Sequence, residues 1–335
     1  MPAWCWCVPN NMRRTGCLLA IALAIVVAAA GGWFVGGWWI TSRVEEDTTF
    51  IVPNGATLAE VARRLGAEEL VGSAGTFLLR ARVLGGSDPV KAGEFLLPAG
   101  SSAAAILDTL QHGEVIRRFV TIPEGMPSVL VRERLLAEPL LTGTVSVPPE
   151  GSVLPQSYDF ERGEARTAVL ARMQAGMRRT LAELWAARAK DIAVRSPQEA
   201  LTLASIVEKE TGVPAERRMV AGLYSNRLRQ GMRLQADPTI IYPLTQGRPL
   251  GRRIRQSEIA AVNGYNTYSM AGLPRGPITN PGRASIEAVL NPAATQALYM
   301  VADGKGGHVF AATLEEHNRN VARWFALRRQ RGEIE

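Results

Sequence analysis

Ser196-Pro197-Gln198-Glu199-Ala200-Leu201-Thr202-Leu203-Ala204-Ser205-Ile206-Val207-Glu208-Lys209-Glu210-Thr211 is the stretch around which the whole chain can be read. Ser196 at N-cap, Pro197 at N1 and Glu199 at N3 mark a helix start. The serine hydroxyl and the glutamate carboxylate each satisfy a backbone N–H that the first turn leaves open. Gly212 and then Pro214 stop the helix. At about 100° per residue, Leu203, Ile206, Val207 and Glu210 share one stripe, and Glu208 lies about 140° from Leu203, toward Leu201. The alanines blur this contrast. A carboxyl on an apolar stripe has its charged form disfavoured by desolvation, which raises its pKa. A general acid near neutral pH needs that property. The competing reading is a solvated helix end with both glutamates in water.

Upstream, helical patterns recur at 127–136 and 164–190, separated by a Pro-, Gly-, Ser- and Thr-rich loop stretch over 138–163. Val115–Ile122 reads as a strand running into a Pro123-Glu124-Gly125 turn. Before it comes a module of about 70 residues with a β-α-α-β pattern. Its parts are the β-branched Thr48–Pro53, a Thr57-Leu58-Ala59-Glu60 capping box, a helix over Thr76–Leu84 and a strand Gly93–Leu97. A third helix, capped by Ser101 or Ser102 and ended by Gly113, follows them. The boundary between this module (41–118) and a second domain (119–335) is expected near residue 118.

Further upstream, Gly16–Ile40 contains no charged residue, and about 20 apolar residues span a bilayer core. Arg13 and Arg14 precede the run; Glu45, Glu46 and Asp47 follow it. The positive flank is expected in the cytoplasm. This gives a cytoplasmic tail (1–15), a transmembrane helix (16–40) in the inner, cytoplasmic membrane, and the remainder on the periplasmic side. A cleaved signal peptide is the rival reading, because Ala28-Ala29-Ala30 resembles a cleavage site, although the apolar run continues well beyond it.

Composition narrows the chemistry. All three cysteines (Cys5, Cys7, Cys17) and five of the seven tryptophans fall in the first 40 of 335 residues. The cysteine-free remainder excludes a disulfide scaffold, a cysteine nucleophile and a thiolate metal site there. His112, His308 and His317, the only histidines, are far apart in sequence, which speaks against a zinc enzyme. The charges of the first 47 residues cancel, so the net +7 belongs to the rest of the chain. A basic surface suits an anionic polymer or lipid, or serves solubility alone. No Lys/Arg run points to nucleic acid.

Downstream of the helix the sequence is dense in distinctive strings. They are Asn226-Arg227-Leu228, Gly231-Met232-Arg233-Leu234-Gln235-Ala236-Asp237-Pro238-Thr239, Tyr265-Asn266-Thr267-Tyr268, Gly272-Leu273-Pro274-Arg275-Gly276-Pro277-Ile278, Val301-Ala302-Asp303-Gly304-Lys305-Gly306-Gly307-His308-Val309-Phe310 and His317-Asn318. With the Glu208-Lys209-Glu210 helix, they resemble the YceG-like family, the endolytic murein transglycosylases. The resemblance runs from the apolar segment to the C-terminus and is strongest from 200 to 318.

That resemblance implies an α+β chain: one transmembrane helix, a small LysM-like module and a mixed catalytic domain. It also implies cleavage of the MurNAc–GlcNAc β-1,4 bond inside peptidoglycan glycan strands, leaving a 1,6-anhydroMurNAc end. The catalytic group would be Glu210, the second glutamate of the Glu-Lys-Glu motif. The chemistry requires no cofactor, because the sugar's own C6 hydroxyl replaces water. Partners would be glycan strands, the membrane through residues 16–40 and, by family analogy, peptidoglycan synthases.

Glu208, Gln235, Asp237, Tyr265, Asn266 and Tyr268 are the candidate substrate-binding residues. Each has a plainer reading: Glu208 a surface charge, Asp237 a helix cap, the tyrosines packing. His308 and His317 read as structural. One departure stands out. Many family members carry an aromatic-Pro-Asp-Thr-Tyr string, and this chain has Leu154-Pro155-Gln156-Ser157-Tyr158, with Gln156 in place of the acid. The alternative function is a non-catalytic, membrane-anchored scaffold that binds glycan or synthases. A hydrolase or esterase finds no support, since no Gly-x-Ser-x-Gly, Ser-x-x-Lys or His-Glu-x-x-His is present.

Overall fold

The computed structural model describes residues 10–40 and 42–334. Trp4, Cys5, Trp6 and Cys7, assigned above to a cytoplasmic tail, lie outside the described residues. The chain is mixed α+β and divides into two units, residues 1–117 and 118–335.

The first unit opens with α1 (Asn10–Trp39), of which Cys17–Trp39 is long and apolar enough to cross a membrane. Then come β1 (Thr48–Val52), α2 (Leu58–Ala67), α3 (Ala74–Leu84), β2 (Gly93–Leu97) and α4 (Ala103–His112). Thr57 caps the start of α2, where its Oγ1 accepts from the Glu60 N–H at 3.3 Å. Strands β1 and β2 pair antiparallel with Phe50 opposite Phe95. Both rings are buried with Val61, Leu65, Phe77 and Leu107, and Trp38 from the last turn of α1 joins this core.

The second unit begins with β3 (Arg118–Thr121), α5 (Ser128–Ala137), β4 (Ser157–Phe160) and α6 (Arg166–Ala186). The helix quoted first is α7 (Pro197–Glu210), and α8 (Arg217–Arg229), α9 (Pro238–Thr245), α10 (Gln256–Ala260) and α11 (Arg283–Leu290) follow it. The chain closes with the hairpin β5 (Tyr299–Ala302) and β6 (His308–Ala311), then α12 (Leu314–Gln330). Strand β4, inside the stretch read as loop, pairs antiparallel with β3. In place of the acid-bearing string, the Gln156 carbonyl accepts from the Ile122 N–H at 3.0 Å, and Tyr158 Oη donates to the Leu154 carbonyl at 2.6 Å.

The amphipathic reading of α7 needs correction. Every residue from Ala200 to Val207 is buried, because α6, α8, α9 and α11 surround the helix. Only its two ends reach the surface, the first turn at Gln198 and the last turn at residues 208–210. It starts as expected, with Ser196 Oγ accepting from the Glu199 N–H at 3.1 Å. It ends differently: Thr211 takes extended backbone (φ −138°, ψ 128°), and no left-handed glycine is used.

Candidate active site

The last turn of α7 delivers Glu210 to a cleft of about 400 Å³. Helix α8 adds Tyr224 and Arg227, three residues apart and so on one face. The turn before α9 adds Gln235 and Asp237, the loop after α10 adds Tyr268, and the β5–β6 hairpin adds Met300, Val301, Ala302 and His308. Four of the residues anticipated from sequence therefore meet: Glu210, Gln235, Asp237 and Tyr268.

The turn that presents Gln235 and Asp237 is held under strain. Gln235 has φ +54°, a left-handed conformation that costs a non-glycine residue free energy. Two buried threonines hold it there. Thr267 accepts at its carbonyl from the Gln235 N–H (3.2 Å) and at Oγ1 from the Ala236 N–H (3.1 Å). The hydroxyls of Thr239 and Thr267 meet at 2.8 Å. The Leu-Gln-Ala-Asp-Pro-Thr and Tyr-Asn-Thr-Tyr strings are thus one structural device.

Asp237 does not cap α9: its side chain makes no capping bond and accepts from Tyr268 Oη at 2.6 Å. Arg227, nearly buried, donates to the carbonyls of Leu298 (2.6 Å), Leu234 (2.7 Å) and Arg233 (3.2 Å) and to Gln235 Oε1 (3.4 Å). Its guanidinium fork ties the hairpin's approach to the turn beneath it. Sequence reading named neither Arg227 nor Tyr224 as a site residue; their three-residue spacing on one helix was the available signal.

Burial pushes the Glu210 carboxyl up to about 7, and the Asp237 carboxylate adds to the rise. A hydrogen bond from Tyr224 and the charge of Arg227 act against it. Glu210 Oε1 is buried without a hydrogen-bond partner. A carboxyl in this state is about half protonated at neutral pH and can release its proton to a group that enters the cleft.

Three anticipated residues sit elsewhere. Asn266 is fully buried and its amide is spent on backbone. It donates to the carbonyls of Ile259 (2.9 Å), Ala261 (2.6 Å) and Glu258 (3.3 Å) and accepts from the Tyr268 N–H (2.9 Å). It orients Tyr268 rather than touching the cleft. Tyr265 packs on Tyr242 (ring centroids 4.8 Å apart) under the Arg275 guanidinium. Glu208 turns away and accepts from the Gly282 N–H at 2.9 Å.

His308 does line the cleft. Its Nδ1 lies 2.8 Å from Glu216 Oε2, and its backbone N–H donates to Glu216 Oε1 at 2.7 Å. His317 stacks on Tyr299. A second buried carboxyl, Glu150, is pushed up by burial and held by the Ser128 N–H (2.9 Å) and Oγ (3.0 Å) and by the Asn280 amide (3.3 Å). It does not line this cleft. Among the described residues, no group of three or more His, Cys, Asp or Glu is placed to hold a metal ion.

Comparison with known proteins gives a consistent picture. The model of the YceG-like family matches residues 50–323. A Bacillus subtilis (strain 168) protein named endolytic murein transglycosylase is 26% identical over 337 residues, covering 90% of this chain and 92% of that protein. A Streptococcus pneumoniae (serotype 2, strain D39) protein of the same name is 28% identical over 361 residues, covering 91% of this chain; the chain spans 64% of that relative's length. The 2.6 Å crystal structure of a Listeria monocytogenes protein described as yceG-like aligns with TM-score 0.50 and 25% identity, covering 82% of this chain and 98% of that one.

Proposed function

This chain belongs to the YceG-like family, and from that premise we propose that it is an endolytic peptidoglycan lytic transglycosylase. It cuts the MurNAc–GlcNAc β-1,4 bond within nascent glycan strands and so ends their elongation. The observation that carries this reading is the Glu210 carboxyl, at about 7 and with one partnerless oxygen, in a cleft.

The reaction needs one such group. The protonated Glu210 gives its proton to the bridging oxygen as the MurNAc C1–O bond breaks, and the GlcNAc O4 leaves as a hydroxyl. The resulting carboxylate takes the proton from the MurNAc C6 hydroxyl as O6 closes on C1. The product is a 1,6-anhydro ring, Glu210 ends protonated as it began, and no water is consumed. Asp237, anchored by Tyr268, supplies negative charge near the cationic C1 of the transition state. Gln235 binds sugar hydroxyl or amide groups from its strained turn.

The apolar helix α1 serves as a single-pass inner-membrane anchor, with its arginine flank in the cytoplasm and residues 41–335 on the periplasmic side. The pairing of β1 with β2 around α2 and α3 supports a LysM-like module over 41–118, with the catalytic domain over 119–335. Glycan strands are the substrate, and peptidoglycan synthases are the expected neighbours.

The test is release of anhydro-ended muropeptides from sacculi by the purified full chain and by Glu210→Gln. Acid–base help contributes about 10²–10⁴-fold, so release should fall by at least about 10² in the variant. Release at the wild-type rate would overturn the assignment.

A further inference from the structure

The end of α1 is built into the first unit through α3. The Phe77 ring packs on Trp38 with centroids 5.7 Å apart. One turn further along α3, Arg80 donates to the carbonyls of Gly37 and Trp33, both at 3.0 Å, and lies over the rings of Trp33 (4.8 Å) and Phe34 (5.4 Å). Gly37 permits this: a Cβ there would stand 2.3 Å from the guanidinium. Stepping along α3 from Phe77 to Arg80 therefore steps back along α1 from Trp38 toward Trp33. The next turn carries Val83, which shares an exposed face with Leu79, and the two are 62% and 54% exposed. Among the described residues nothing covers these two side chains, and Arg82 flanks them on the same exposed side.

The charged Arg80 fixes where hydrocarbon must end. An arginine is costly in a bilayer core but at home at its edge, beside indole rings. Counting back from Trp33, the roughly 20 residues that cross a core reach position 14 or so. That is the position of Arg13 and Arg14. Both charged limits agree on one core, and the segment from Trp33 to Trp39 is left in the interface. Because α3 is tied to that segment and points toward the core, its exposed face lies at the same depth.

Resting on the membrane-anchor reading above, we infer that the first unit is seated in the outer lipid interface. The Leu79–Val83 face of α3 is inserted among the lipid headgroups, and Arg80 fixes its depth. The occupant of this face is lipid. The pattern is that of an interfacial helix, with aliphatic side chains inward and a flanking arginine reaching toward phosphate.

The test uses the full chain with Cys5, Cys7 and Cys17 changed to serine, reconstituted in vesicles. Single cysteines (Val26→Cys, Leu79→Cys, Val83→Cys or Arg63→Cys) carry an environment-sensitive fluorophore, and spin-labelled lipids quench it from shallow or deep positions. Val26 is exposed on α1 and Arg63 is exposed on α2. The probe at Val26 should be quenched most by the deep label. Probes at Leu79 and Val83 should be quenched by the shallow label at least twice as strongly as the probe at Arg63. If Val26 is quenched while Leu79 and Val83 match Arg63, the inference is wrong and the anchor stands. If Val26 itself is unquenched, the anchor reading fails. Blue-shifted but unquenched probes at Leu79 and Val83, varying with protein density, would mean that another copy of the chain covers the face, which also overturns the inference.

Discussion

Replacing Glu210 by glutamine should stabilise the protein in a pH-dependent way. Burial and Asp237 raise the Glu210 carboxyl from the ordinary 4.5 to about 7 in the native state. The native protein therefore holds this proton more tightly than the unfolded chain does. The stabilisation is complete below about pH 4.5 and is lost as pH rises to 7, because the native state must then ionise a buried carboxyl or keep a costly proton. At about 1.4 kcal/mol per pH unit, the loss approaches 3 kcal/mol. Glutamine has the same shape and no proton to lose. Between pH 4.5 and pH 8, the melting temperature of the variant should gain about 6–12 °C on that of wild type, at roughly 2–4 °C per kcal/mol. Thermal unfolding followed by circular dichroism, on both full chains in the same detergent, measures this difference. A gap that is equal at the two pH values would refute the assignment of a raised, buried proton to Glu210.

Asp237→Asn removes the negative neighbour but leaves an acceptor for Tyr268. The alkaline limb of kcat/KM, set near pH 7 by Glu210, should move about one pH unit lower; an unmoved limb in the pH–rate profile would count against the coupling. Asn266→Ala deletes four hydrogen bonds in a fully buried position, so urea unfolding should show a loss of about 2–4 kcal/mol. A variant of normal stability with weakened glycan binding would instead return Asn266 to the cleft. Gly247→Ala should also destabilise the second unit, by about 1–3 kcal/mol. Its φ is +84° and the added Cβ would sit 2.6 Å from Pro127; an unchanged midpoint would contradict that crowding.

Local chemistry made the ends of the elements readable. Ser196, Thr57, Ser102 and Thr313 cap helices through their own side chains, and such signals need only four neighbouring residues. The meeting of Glu210 with Asp237 was foreshadowed only by the family resemblance, because wheel geometry places residues on one helix and says nothing of the next. Strand β4 escaped notice because four residues among glycines and prolines become a strand only by pairing with β3, nearly 40 residues earlier. Asn266 looked like a sugar ligand because an amide between two tyrosines suits a cleft. Its partners are backbone carbonyls of the preceding turn, which composition does not reveal. The stripe on α7 pointed to Glu210, yet the helix is buried all round from Ala200 to Val207. What sets Glu210 apart is its place in the last turn, which emerges from the core into the cleft.

The central claim is that one glutamate works with the sugar's own hydroxyl and without water. The most direct measurement is digestion of sacculi by the full chain in ¹⁸O-labelled water, with mass spectrometry of the released muropeptides. The account predicts anhydro-ended products that lack one water and carry no ¹⁸O at C1. Reducing ends bearing ¹⁸O would contradict it.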